Sequence, residues 1–285
     1  MLRIVDTYSE LTSLFQSGFD IDKWKRYLND CYEGAAELCL NDLKECIDAG
    51  IYDYERDILP IINAVPYCDK LDLLHKSFTA ATHGLNETIK RCFGREIDAD
   101  IVLYLGLCNG AGWVTSVNGR KCILLGIEKI VELNWCDIDS MHGLLYHELG
   151  HVYQWQYGIL ECEPPSTRQG FIHQLFTEGI AMYFEQELVG DCDFYHQDRD
   201  GWKTWCDEHY ERIKTDFYND LISMTQKDQR FFGDWADYHG KGDVGYYLGC
   251  RFVRHLLKHD SFDNVIGYDL GQICSAFEKW YQQIM

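Results

Sequence analysis

Apolar side chains recur every three to four residues through the first 95 residues, the spacing of helices that bury one face. The recurring positions include Leu11, Leu14, Phe15, Trp24, Tyr27, Leu28, Leu38, Leu43 and Ile47. Gly50 ends one such segment, and a longer helix is predicted over residues 71–92, ending at Gly94. This pattern predicts a mainly helical lobe over residues 1–95.

The pattern changes at Asp100, where the run DIVLYLGL has the short, apolar character of a buried strand. The segment WVTSVNGRKCILLGIEKI follows, with Asn118-Gly119 between two β-prone runs. Asn-Gly favours the two-residue type I′ turn, in which both residues have positive φ, and so predicts a hairpin. Residues 108–112, which precede it, are either a plain turn or a flexible segment whose backbone approaches a ligand.

Helical spacing returns after this sheet. A helix capped by Asp139 or Ser140 is predicted to end at Tyr157, before Gly158. A loop over 159–169 leads to a second helix that ends by Gly190. Residues 191–245 are polar and aromatic without a clear period, and helices are predicted over 245–259 and 270–283. The predicted fold is α+β, mostly helical with a small mixed sheet, in one domain over 1–285 with lobes at 1–95, 96–158 and 159–285.

Composition narrows the class of protein. The chain is 46% hydrophobic and 14% aromatic, as in globular proteins, and its 4 Pro form no linker. A net charge of −20 argues against nucleic acid and anionic membranes as partners. Asp6 and Glu10 interrupt the start where a signal peptide would be apolar, and no 18-residue apolar run occurs. With 13 Cys and no CxxC pair, we expect a cytoplasmic protein with free thiols.

The candidate chemistry begins with His147-Glu148-Leu149-Gly150-His151, in the first of the two helices after the sheet. Two histidines four residues apart lie on one face of a helix, so both imidazoles can bind one metal ion. The glutamate beside the first histidine is then placed to act on a metal-bound water. The pentapeptide predicts two zinc ligands, His147 and His151, and a general base, Glu148.

A catalytic zinc site needs a third protein ligand and one open position. A metzincin would have Gly and His at positions 154 and 157, where this chain has Gln154 and Tyr157. Glu178 is the strongest candidate, because it lies in the middle of an amphipathic helix among apolar residues, where an unpaired carboxylate is costly unless it binds a cation. Its neighbour Gly179 is expected to let this helix pack closely on the HExxH helix. The alternatives are Glu185, His173 and Glu163.

HELGH followed by TEGIAMYFE on the next helix resembles the gluzincins, the zinc peptidases of the peptidase MA-like group. GYYLGCRFV at residues 245–253 is similar to a further block of these proteins. The run from VLYLGL to HELGH is most similar to a poorly characterised bacterial family of predicted zinc-dependent proteases. The resemblance covers roughly residues 100–256 and leaves residues 1–95 unmatched.

The resemblance implies a zincin-like fold with one zinc ion on His147, His151 and Glu178, and Glu148 as the base that activates the bound water. Tyr246 matches the tyrosine that stabilises the tetrahedral intermediate in related aminopeptidases; Tyr247 and His239 are alternatives. One departure concerns the carboxylate that in some gluzincins orients the first histidine from four residues after the ligand glutamate. Met182 stands at that position.

The expected function is zinc-dependent hydrolysis of a peptide or protein substrate. In zincins an extended substrate pairs with an edge strand, which here would come from residues 101–127 and is expected around 109–113. The alternative is a catalytically inactive zincin-like module that binds zinc and senses a protein or peptide partner. An open coordination position and an intact Glu148 favour the peptidase, since a purely structural site requires neither.

Overall fold

The fold was obtained as a computed structural model, which describes residues 1–233 and 235–282. By its internal contacts the chain divides into two compact units, Met1–Glu148 and a second from Leu149 onward. The division falls inside one continuous helix, Ile138–Tyr157. A single domain over residues 1–285 stays a prediction.

The first unit contains a four-stranded sheet made of β1 (Arg3–Asp6), β2 (Asp100–Tyr104), β3 (Gly112–Val117) and β4 (Arg120–Gly126). The strand order is β1-β2-β4-β3. β2 is parallel to both of its neighbours, whereas β3 is antiparallel to β4. The predicted α+β class with a small mixed sheet is confirmed, although β1 lies in the segment predicted to be helical.

The predicted hairpin joins β3 to β4. Val117 pairs with Arg120, and the two residues between them, Asn118 and Gly119, have φ values of 50° and 77°. These are the positive φ values that a type I′ turn requires. β2 is buried along its whole length, whereas β3 is mostly half-exposed. The hairpin therefore places β3 at one edge of the sheet.

Helices lie between β1 and β2 and after β4 along the chain. They are α1 (Leu11–Phe15), α2 (Ile21–Cys31), α3 (Ala35–Asp48), α4 (Leu59–Ala64), α5 (Leu71–Thr82), α6 (Leu85–Phe93), α7 (Ile127–Glu132) and α8 (Ile138–Tyr157). The helix predicted over 71–92 is two helices, because the chain turns at Gly84, whose φ is 64°. The cap predicted at Asp139 or Ser140 is instead Asp137, whose carboxylate accepts from the Ser140 amide at 2.9 Å.

The second unit is helical. It contains α9 (Thr167–Val189), α10 (Trp202–Glu208), α11 (Tyr210–Asp220), α12 (Val244–Leu256), α13 (Phe262–Val265) and α14 (Leu270–Gln282). Ser166 caps α9, which begins at Thr167 and so overlaps the loop predicted over 159–169, whereas Gly190 ends the helix in the left-handed region as predicted. α10 and α11 were not predicted, and residue 283 of the last predicted helix lies outside the described residues. Across residues 1–233 and 235–282, no helix combines the length and apolar character needed to cross a membrane.

Candidate metal centre

The histidines of the HExxH motif lie on α8, the helix that continues from the first unit into the second. His147 and Glu148 are buried, with 4% and 7% of their surfaces exposed. The neighbours Leu145, Leu149 and Val152 are fully buried, so this part of α8 lies in the core. Burial of two polar side chains among these apolar ones requires polar partners.

Gly150, the fourth residue of the motif, allows α8 to pack closely on α9. A Cβ atom at Gly150 would lie 2.7 Å from the Cα of Ala181 and 3.0 Å from the Cβ of Phe184. Any larger side chain would therefore push the two helix backbones apart. This crossing brings the next residue, His151, to α9 near Glu178.

The structure brings the three predicted ligands together. His151 Nε2 lies 3.3 Å from Glu178 Oε2. One potential ligand atom from each of His147, His151 and Glu178 lies within 4.8 Å of the other two. The side chains of His151 and Glu178 are 14% and 15% exposed, so this face of the cluster is open to a small ligand.

The donor set fits zinc. Two imidazoles and one carboxylate are a ligand set of catalytic zinc sites, which leave a fourth position for water or substrate. Mg²⁺ and Ca²⁺ prefer oxygen ligands and a larger number of them. A zinc ion would also neutralise the partly buried carboxylate of Glu178, whose neighbours on α9 include the buried Leu175, Phe176 and Ile180.

Glu148 lies against the start of the edge strand β3. A Cβ atom at Gly112 would lie 2.5 Å from Glu148 Oε1 and 2.8 Å from its carboxyl carbon. Only glycine leaves room for the Glu148 carboxylate in this position. The segment singled out at 108–112 therefore ends in a close approach to the predicted base, while its approach to a ligand stays a prediction.

A buried carboxylate that the sequence did not reveal holds the loop before β3. Glu128 accepts hydrogen bonds from the backbone amides of Gly106 at 2.6 Å and Cys108 at 2.9 Å. Burial raises the pKa of Glu128 to about 7. Glu128 belongs to α7, within a run predicted as part of the β-prone segment, so its role in fixing this loop was not predicted.

Tyr246 lies one helical turn before the point where α12 meets α9. A Cβ atom at Gly179 would lie 2.2 Å from the carbonyl oxygen of Gly249, and Tyr246 is three residues before Gly249. Residues three apart lie on the same side of a helix, so Tyr246 is on the side of α12 that meets α9. The expectation that Gly179 serves the contact with the HExxH helix is wrong, because its close contact is with α12.

The alternatives to Tyr246 have other partners. The hydroxyl of Tyr247 donates to Asp207 Oδ1 at 2.7 Å, and only 1% of this residue is exposed. His239 is exposed, and its Nε2 accepts from Arg212 at 2.8 Å. Both side chains therefore have hydrogen-bond partners within the fold.

The alternatives for the third ligand differ in whether they belong to a cluster of potential metal ligands. Glu163 is exposed, and it belongs to neither of the two His/Glu groups found among the described residues; the same holds for His173, whose pKa is lowered by burial. Glu185 forms a second group with His147 and His196, in which one potential ligand atom from each residue lies within 4.8 Å of the others. His196 was not predicted, because it lies in a loop with no periodic pattern.

No protein-family model, curated protein or solved structure matches the chain. Function must therefore be inferred from the residue chemistry and geometry of the cluster on α8 and α9. The resemblance of the motifs to gluzincins stays a prediction.

Proposed function

We propose that this protein is a zinc metallopeptidase of the gluzincin type with a zincin-like fold. The observation that carries the proposal is the convergence of His147, His151 and Glu178, with potential ligand atoms within 4.8 Å of one another. The buried Glu148 beside them distinguishes the cluster from a structural zinc site, which has no use for a base.

A zinc ion held by these three residues would lower the pKa of a water molecule and polarise the scissile carbonyl. Glu148 would accept a proton from the attacking water and return it to the leaving amine. The phenol of Tyr246 donates a hydrogen bond to the carbonyl oxygen as negative charge develops on it. His147 and His151 would hold the metal from one helix, and Glu178 on α9 would supply the carboxylate that completes the set.

The position of β3 supports a peptide as the substrate. This strand is at an edge of the sheet, and its first residue, Gly112, lies against Glu148. An extended peptide can pair with the outer backbone of such a strand, which provides affinity through main-chain hydrogen bonds and little sequence specificity. A peptide paired with β3 would have its backbone near the base.

Digestion of a peptide library tests this proposal. We expect zinc-loaded wild-type protein to cleave internal or terminal peptide bonds and the Glu148→Gln variant to lose about 10²–10⁴-fold in rate, the contribution of a general base. Glu148→Gln should retain about one zinc per chain, since Glu148 is not a ligand. Asp139→Asn is the matched control, because it removes the same charge from an exposed position on α8.

Three outcomes would overturn the proposal. If the wild-type protein binds no zinc, the proposed metal site is wrong. Zinc binding with no cleavage of any peptide leaves the alternative of a non-catalytic zinc module. Full activity in Glu148→Gln contradicts the role of Glu148 as the base.

A further inference from the structure

Glu185 is a fully buried carboxylate outside the three zinc ligands. Its side chain is 0% exposed, and it lies on α9, seven residues and about two turns after Glu178. A buried carboxylate is expensive unless it is paired and hydrogen-bonded. Glu185 therefore needs specific partners, and those partners indicate its role.

His196 supplies two of them. Its backbone amide donates to Glu185 Oε1 at 3.1 Å, and its ring Nδ1 lies 2.9 Å from Glu185 Oε2. The loop that carries His196 returns over the end of α9. Gln186 holds this loop through two hydrogen bonds. Its side-chain Nε2 donates to the Phe194 carbonyl at 2.9 Å, and its backbone carbonyl accepts from the Asp191 amide. The Glu185 carboxylate is thus held in one orientation.

His147 is the third member of this group. One potential ligand atom from each of His147, Glu185 and His196 lies within 4.8 Å of the others, and His147 also belongs to the zinc-ligand group. An imidazole has two ring nitrogens. His147 can therefore bind zinc with one nitrogen and donate a hydrogen bond from the other.

Met182 cannot accept the hydrogen bond of His147 as a carboxylate would. It stands four residues after Glu178, and its sulfur is in contact with Gln197 Nε2 at 3.8 Å. A thioether is a weak acceptor and carries no charge. The loop that carries His196 and Gln197 packs over this part of α9, where Glu185 is the buried carboxylate.

We propose that Glu185, held by His196, is the positioning residue that accepts the hydrogen bond of the His147 nitrogen turned away from zinc. The carboxylate fixes the tautomer and the ring orientation of His147 and makes its other nitrogen a better donor to the metal. The inference rests on the zinc site of the proposed function but does not require peptidase activity.

Zinc affinity, measured by competition with a chromophoric chelator on the full chain, tests this role. We expect Glu185→Gln to bind zinc 10–100-fold more weakly, the usual effect of losing an outer carboxylate. The Co²⁺-substituted protein should keep the absorption intensity of a His2Glu set, because no ligand is lost. Glu187→Gln, which changes a 42% exposed side chain on the same helix, should leave the affinity unchanged.

Two variants of His196 separate a positioning role from a ligand role. Asn keeps an N–H donor near the place of ring Nδ1, whereas Leu has none. We expect His196→Asn to stay close to wild-type affinity and His196→Leu to fall toward Glu185→Gln. If His196 were itself a metal ligand, both His196 variants would lose zinc equally. If Glu185 were a ligand, the Co²⁺ spectrum of Glu185→Gln would change. Either result would overturn the inference.

Wild-type affinity in Glu185→Gln would also overturn it. The peptidase proposal fails separately, since a protein that binds zinc but cleaves no peptide still reports the effect of Glu185 on affinity. If the wild-type protein binds no zinc, both proposals are wrong. Circular dichroism of each apo-variant checks that affinity is compared between folded proteins.

Discussion

At the scale of single residues, two adjacent tyrosines on α12 have different environments. Tyr247 is buried in an aromatic cluster with Tyr195 and Trp202 and donates to Asp207. Tyr246 is half-buried on the face that meets α9, with its ring 6.0 Å from that of Phe232. A tyrosine can stabilise an oxyanion only if its hydroxyl can reach the substrate, which favours Tyr246.

We predict that Tyr246→Phe lowers kcat about 10²–10³-fold, the usual effect of removing one oxyanion donor, with little change in KM. Zinc content should stay at wild-type level. Tyr247→Phe is the matched control: it removes a buried hydrogen bond and should cost about 1 kcal/mol of unfolding free energy without lowering kcat. Steady-state kinetics on one cleaved peptide gives the comparison, and equal kcat losses in the two variants would contradict the assignment.

Which residues could be predicted from sequence depends on how local their relationships are. His147 and His151 are one helical turn apart, so their common face follows from spacing alone. Glu178 could be predicted as a ligand because a carboxylate among Leu175, Phe176 and Ile180 is costly to bury without a partner. Glu185 and His196 could not be paired from sequence, because their contact depends on a loop that returns over α9 after Gly190.

At the scale of elements, glycines set the helix crossings near the candidate centre. Gly150 allows α8 to meet Ala181 of α9, and Gly179 meets Gly249 of α12. In both cases the nearest atoms belong to the backbone of the other helix. A backbone cannot move aside as the end of a flexible side chain can, so these crossings are sensitive to a single methyl group.

We predict that Gly179→Ala destabilises the protein by about 1–3 kcal/mol, because its Cβ would lie 2.2 Å from the Gly249 carbonyl oxygen and force α9 and α12 apart. Gly170→Ala is a matched control in the first turn of α9, where a Cβ would be 3.9 Å from Pro164. That variant should be neutral or stabilised by up to about 1 kcal/mol through helix propensity. Urea unfolding of the two variants checks both signs, and equal stabilities would show that the crossing tolerates a methyl group.

Elements with strong local signals were predicted, and those that depend on distant contacts were not. The Asn118-Gly119 turn and the caps at Gly94 and Gly190 follow from backbone preferences of a few residues. β1 has only four residues and exists through pairing with β2, about 97 positions away. No local pattern in Arg3–Asp6 distinguishes such a strand from the start of a helix.

At the scale of the whole molecule, the excess of acidic residues bears on metal binding. The chain has 46 Asp and Glu against 26 Lys and Arg. Self-repulsion among these charges opposes the compact state, and any cation that screens them favours it. A stabilising effect of zinc must therefore be distinguished from general screening by divalent cations.

We predict that chelation lowers Tm and that zinc restores it, since a ligand bound only to the native state adds about 2.7 kcal/mol at 100 times its Kd. For a chain of this size that corresponds to roughly 5–10 °C. Glu178→Gln should lose most of this response, whereas Glu187→Gln should keep it. Mg²⁺ at the same concentration screens charge equally but is a poor partner for imidazole. Differential scanning calorimetry should therefore give a change in Tm that is specific to zinc and depends on Glu178. An equal change in Tm with Mg²⁺, or in Glu178→Gln, would mean that the acidic surface binds the metal and the cluster on α8 and α9 does not.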